Sequence, residues 1–139
     1  MYFVDRELLD ERLDYIESLT KEFKNAEGFA LERICHMLIE SAVDVGNMII
    51  DAFILRDPGT YLDVMFILKT EGALTEADED DFKATFKWRN TLNREYTTLD
   101  RKSMKDDFNK HLSAFENYKS RINAFVENDG QAVTAFKGE

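Results

Sequence analysis

Six polar side chains recur at intervals of three and four between positions 33 and 51: Arg33, His36, Glu40, Asp44, Asn47 and Asp51. At 100° per residue they fall within an arc of roughly 80° on one helix. The residues between them are largely apolar, among them Leu31, Ile34, Leu38, Ile39, Val43, Val45 and Ile50. A helix that is apolar around most of its girth is a central one, inside a bundle or at a subunit contact. Its polar stripe is either the solvated side or one wall of a groove in which Arg, His, acids and Asn form a paired network. A second helix supplies the complement. Phe82, Phe86, Arg89, Asn93 and Tyr96 share one face at the same spacing. A guanidinium cannot shed its charge, so on a buried face Arg89 requires an acid or an anionic ligand to offset desolvation. Glu40 and Asp44 are the expected partners, and an arginine snorkelling at the bundle rim is the alternative.

Charge is unevenly placed along the chain. Eighteen Lys+Arg against 28 Asp+Glu give the 139 residues a net charge of −10, which on average repels nucleic acid. From Lys83 to Lys105, however, Lys83, Lys87, Arg89, Arg94, Arg101, Lys102 and Lys105 meet only Glu95 and Asp100. This basic island is either solvated charge or an anion-binding surface with Trp88 and Tyr96 available for stacking. The preceding acidic run, Glu76 to Asp81, reads as the first turn of a helix, where the dipole favours negative charge. Other chemistries are poorly supplied. The single Cys35 allows no internal disulfide and no CxxC site, which fits a reducing cytosol. His36 and His111 are the only histidines and lie far apart, so neither a metal site nor a cofactor is expected. The stretch Met48 to Leu55 is interrupted by Asp51 and is much shorter than the roughly 20 residues that span a bilayer. The amino terminus lacks the pattern of a signal peptide. A cytoplasmic protein with no membrane partner is expected.

The elements that must hold these residues are helical. Composition is 44% apolar and 12% aromatic with six Gly and one Pro, which points to an all-α chain with a core large enough for a single domain over residues 1–139. Five helical segments are predicted. The first starts near Asp5, carries Leu9, Leu13, Ile16, Leu19 and Phe23 on one face, and stops at Asn25–Gly28. The second runs from about Phe29 to Arg56 and ends at Asp57-Pro58-Gly59. A short third follows a Thr60/Asp63 cap and closes at Gly72, and the fourth follows a Thr75/Asp78 cap and reaches roughly to Tyr96. The fifth follows a Ser103/Asp106 cap and stops at Asn128-Asp129-Gly130. Its seam is Met104, Phe108, Leu112 or His111, Phe115, Tyr118 or Lys119, Ile122 and Phe125. Four long helices with short connections describe an antiparallel up-down four-helix bundle with one extra short helix.

The run Arg89-Asn90-Thr91-Leu92-Asn93-Arg94-Glu95-Tyr96 resembles the signature of HepT-like proteins, a branch of the HEPN superfamily. That signature is Arg, a polar residue, three further residues, His, one residue and Tyr. Leu31-Glu32-Arg33, Ile39-Glu40 and Asp44-Val45-Gly46 are similar to the family's second helix. Asp57-Pro58-Gly59-Thr60-Tyr61 and Leu68 to Gly72 are similar to its next helix pair, so the resemblance covers nearly the whole chain. Met1 to Arg6 and the stretch from Ile50 to Tyr61 most resemble one uncharacterised branch of the family. The resemblance implies the four-helix up-down bundle and a homodimer. It also implies a metal-independent ribonuclease toxin of a toxin–antitoxin pair, with Arg and His from both subunits lining an intersubunit cleft. The cognate antitoxin of such pairs, a minimal nucleotidyltransferase, attaches AMP to the motif tyrosine. Position by position, Arg89 matches the motif arginine, Asn90 the polar residue and Tyr96 the modifiable tyrosine.

One position departs from the family. Arg94 stands where the signature has its catalytic His, and an arginine with a pKa above ~12 is a poor proton shuttle, although it can stabilise phosphate charge. His36 substitutes for the missing histidine only if the polar stripe faces the same groove. Three functions therefore stay open. The first is a ribonuclease toxin in which Arg89 and Arg94 clamp phosphate. The second is a catalytically inactive module that binds RNA, nucleotide or a protein partner. The third is a structural dimer whose polar stripe only sets helix register.

Overall fold

The computed structural model of the protein describes residues 5–128, and among them all regular structure is helical. Helix α1 (Arg6–Phe23) begins where the Asp5 carboxylate accepts the Leu8 amide at 3.1 Å. Its predicted face, Leu9, Leu13, Ile16, Leu19 and Phe23, is buried. Helix α2 (Gly28–Ala52) has thirteen buried residues and packs against α1 and three further segments. These are α3 (Tyr61–Thr70), α5 (Trp88–Arg94) and α6 (Arg101–Lys110), with α1 and α3 also leading to the rest of the core. It is the central helix that its apolar girth predicts.

The end of α2 differs from the expectation that it continues to Arg56. It stops at Ala52 because Ile54 adopts φ 53°, and the Leu55 and Ile54 amides turn back to the Ile50 and Asp51 carbonyls at 2.9 and 3.3 Å. This is a Schellman ending with a β-branched residue at the left-handed position that glycine usually fills. The end of α3 has the same pattern with the expected residue, Gly72 at φ 90°, and amides of Ala73 and Gly72 on the Leu68 and Lys69 carbonyls. Between the two endings, Asp63 accepts two bonds from Arg56 at 2.8 and 2.6 Å and one from the Gly59 amide at 2.9 Å. Those bonds from Arg56 and Gly59 hold its carboxyl down at about 2. The Thr60 hydroxyl caps the Asp63 amide as predicted, while the Asp63 carboxylate serves the loop and not the Thr60 amide.

Helix α4 (Glu76–Phe86) starts with a complete capping box of Thr75 and Asp78. The predicted single helix to Tyr96 is interrupted at Lys87. The Thr85 hydroxyl bonds back to the Asp81 and Phe82 carbonyls at 3.0 and 3.3 Å, a competition that bends helices. The chain resumes as α5 and ends at Arg94, so Tyr96 lies beyond the helix and does not continue the face of Phe82 and Phe86. The last predicted helix is also segmented, into α6, α7 (Ser113–Glu116) and α8 (Tyr118–Asn128). Its cap is Asp100 on the Ser103 amide, not Ser103 with Asp106, whose carboxylate instead meets Lys102 at 3.3 Å. The buried seam resolves the open alternatives as Met104, Phe108, Leu112, Phe115, Tyr118, Ile122 and Val126, with Phe125 only half-buried. His111 sits at the rim on Asp81, 2.9 Å away. Asp129 and Gly130, expected to stop this helix, and Met1 to Val4 lie outside the described residues.

Gly46 brings α2, α3 and α8 together. A methyl group there would collide with the Val64 side chain and touch Leu68 and the Tyr118 hydroxyl, so the glycine sets how closely α3 approaches α2. The buried Tyr118 hydroxyl donates to the Ala42 carbonyl at 2.8 Å across the same junction. Among the described residues, no helix is long and apolar enough to cross a membrane.

Candidate functional site

The polar stripe of α2 does not behave as one unit. Arg33, Asp44 and Asp51 are exposed, and His36, Glu40 and Asn47 are half-buried. Glu40 is the hub. Its Oε1 accepts the Arg89 Nε–H at 2.9 Å and lies 3.4 Å from His36 Nε2, one turn earlier on the same helix. Its Oε2 accepts the Tyr61 hydroxyl at 2.6 Å. The Arg89 guanidinium in turn lies over the Tyr61 ring, 4.3 Å from its centroid. Three elements thus converge on one carboxylate: α2 with His36 and Glu40, the first residue of α3 with Tyr61, and the second residue of α5 with Arg89.

The electrostatics follow from this geometry. Burial alone would raise the Glu40 pKa, but the hydrogen bonds from Tyr61 and Arg89, with the Arg89 charge, outweigh it and hold the carboxyl below the ordinary glutamate range. Tyr61 shifts upward because its proton is committed to Glu40 and because it is partly buried. The hydrogen bond to Glu40 raises Arg89 further. The arginine is braced without being consumed. Only its Nε–H goes to Glu40, out of five N–H donors, and its side chain remains 44% exposed. Such a group can receive an anion in a fixed orientation, which is what phosphate chemistry requires.

The expected pair of Arg89 with Glu40 is therefore present, whereas Asp44 makes no bond to it. The other motif residues lie elsewhere. Asn90 is exposed and donates to Glu95 at 3.1 Å. Arg94, the last residue of α5, is exposed and meets no partner among the described residues. Five positions beyond Arg89, it lies about 140° around the helix, so one chain does not bring the two arginines together. Tyr96 is 63% exposed. Trp88 is half-buried, and its indole N–H donates to Asp107 at 2.9 Å, which fixes the orientation of the ring. Cys35 is fully buried, and that burial pushes its thiol up to about 12, so it is no nucleophile.

Tyr61 is the member of the cluster that the residue pattern did not flag. It carries no periodic signal, since it opens a short helix, and it reaches Glu40 only through the packing of α3 on α2. Among the described residues, no group of three or more His, Cys, Asp or Glu is arranged to hold a metal ion.

A braced, solvent-accessible arginine on an all-helical scaffold is the defining feature of the site. The family model described as Ribonuclease HepT-like matches residues 8–122, and the chain belongs to that family. It is 36% identical over 144 residues to the Bacillus subtilis (strain 168) protein named "Putative RNase YutE", across 99% of this chain and all of that one. The solved structure of YutE from Bacillus subtilis, titled a cytosolic protein of unknown function, superposes with a TM-score of 0.88 over 98% of this chain and all of that one.

Proposed function

We propose that the protein is a metal-independent ribonuclease in which Arg89 holds the scissile phosphate of RNA. The observation that carries this reading is the bracing of Arg89 by Glu40 and Tyr61, which fixes a permanent cation at an accessible surface. His36 takes the role that the family gives to the histidine at the position of Arg94. It touches the same Glu40 oxygen as Arg89, and its Nδ1 makes no hydrogen bond among the described residues. In this scheme His36 accepts the proton of a 2′-hydroxyl, and the 2′-oxygen attacks the adjacent phosphorus. The bond from phosphorus to the 5′-oxygen breaks, and that oxygen takes a proton from solvent. The products are a 2′,3′-cyclic phosphate and a 5′-hydroxyl end. Glu40 orients the imidazole, and Arg89 stabilises the charge gathering on the phosphate oxygens.

The same reading makes the protein the cytoplasmic toxin of a toxin–antitoxin pair, a homodimer of up-down four-helix bundles. Exposed Tyr96 is then the target of a cognate nucleotidyltransferase antitoxin, and Arg94 completes the cleft from the second subunit. A second reading, a catalytically inactive module that binds RNA, is favoured by Arg94 itself, since this position holds a residue unable to shuttle protons.

The deciding experiment compares RNA cleavage and growth on expression for the wild type, Arg89→Ala and His36→Ala. Cleavage should fall by about 10²–10⁴ for His36→Ala, the span of general acid–base assistance, and at least as far for Arg89→Ala. Binding without cleavage by the wild type would select the inactive module. Intact RNA together with no RNA binding would remove both readings.

A further inference from the structure

Next to Arg89 the surface opens into a hollow of about 520 Å³ between the start of α3 and the end of α4. Its lining includes Tyr61, Lys83, Phe86, Lys87 and Arg89, with three cationic side chains and no acidic one. For a chain of net charge −10 this is a local inversion of sign. Lys83 is exposed and forms no ion pair or hydrogen bond among the described residues, so its charge is available to a ligand. Lys87 follows four residues later, about 6 Å along the axis. It lies 3.2 Å from Asp107 while its side chain stays 62% exposed. Phe86 is buried beneath, and Tyr61 presents the ring on which Arg89 rests, so the floor is aromatic while the rim is cationic. The volume lies within the ~300–1,000 Å³ of pockets that enclose small ligands.

We propose that this hollow is a subsite for one nucleotide of a single-stranded RNA, adjoining the phosphate held at Arg89. An unpaired base occupies the aromatic floor, and the phosphates on either side of it are met by Lys83 and Lys87. A duplex is excluded, because its bases are stacked and cannot enter. The subsite rests on the ribonuclease reading for its purpose, and its own test is binding.

The probe is a short, labelled, 2′-O-methylated single strand, which carries no 2′-hydroxyl to attack phosphorus, titrated against the full chain. Lys83→Glu should weaken binding by roughly tenfold or more. Lys83→Ala should reduce the slope of log affinity against log salt by about 0.7, the value for one phosphate contact on a single strand. Lys21→Glu on α1, the same charge change outside the hollow, should leave affinity within about twofold. Equal affinity of wild type and Lys83→Glu, equal loss in Lys21→Glu, or equal affinity for a duplex of the same length would each overturn the subsite. The two readings fail separately. A wild type that never cleaves RNA yet loses binding in Lys83→Glu keeps the subsite and abandons catalysis. A wild type that cleaves with a KM unchanged by Lys83→Glu does the reverse.

Discussion

Glu40 has several duties at once: it braces Arg89, accepts a hydrogen bond from the Tyr61 hydroxyl and contacts His36. Its pKa is lowered from the ordinary 4.5, so the stability it contributes is complete above that value and is lost as pH falls through the lower native pKa. Tyr61 runs the opposite way. Its raised pKa keeps its contribution complete below 10 and loses it as pH rises further. Chemical denaturation should therefore show wild type above Glu40→Gln by about 1 kcal/mol at neutral pH. The gap should close as pH drops below 4.5. A gap that persisted in acid would mean that the carboxylate contributes through shape and not through charge. The pairing of Arg89 with Glu40 was expected from the sequence on the ground of a buried face shared with Phe82 and Phe86, whereas Arg89 stands on α5 beyond the break at Lys87 with its side chain 44% exposed. Tyr61 was not expected, because nothing in its local pattern says which residue 21 positions earlier it will meet.

At the scale of elements, the site depends on how α2, α3 and α5 are spaced. Gly46 permits the close approach of α3 that lets Tyr61 reach Glu40. Gly46→Ala gains helix propensity, about 1 kcal/mol, but drives a methyl into Val64. Overpacking typically costs ~1–3 kcal/mol, so a net loss is expected, visible as a lower denaturation midpoint. The Tyr61–Glu40 bond should weaken with it, and the Tyr61 pKa should move back toward 10 by absorbance titration. A variant as stable as wild type would show that α3 can shift outward without cost. Element boundaries were legible where the stop signal is chemical, as with Gly72 and the Thr75–Asp78 box. They were illegible where the stop is conformational. Ile54 takes a glycine's backbone angle without being glycine, and α4 gives way to α5 at Lys87 although the same type of hydroxyl back-bond leaves α2 unbroken at Ser41.

For the whole molecule, the question is where Arg94 acts. One chain places it away from the Arg89 face, exposed and unpaired among the described residues. If the proposed homodimer brings it back, sedimentation should show a dimer, and Arg94→Ala should lower cleavage while leaving the fold unchanged. A monodisperse monomer that still cleaves RNA would assign the chemistry to Glu40, His36 and Arg89 of a single chain. The acidity of the protein limits its affinity for RNA without forbidding it, because three cations line the hollow and Lys83 among them has no ion pair within the described residues.

The sequence alone determined the helical class, the central position of α2 and the core faces. Each of these follows from periodicity, which is a local property. Only the tertiary structure decided that Glu40 and not Asp44 takes the arginine, that Tyr61 joins them and that Trp88 is committed to Asp107. It also placed a cationic hollow next to Arg89. These depend on the distance and rotation between helices, which side-chain volumes such as the missing methyl of Gly46 set once the chain has packed.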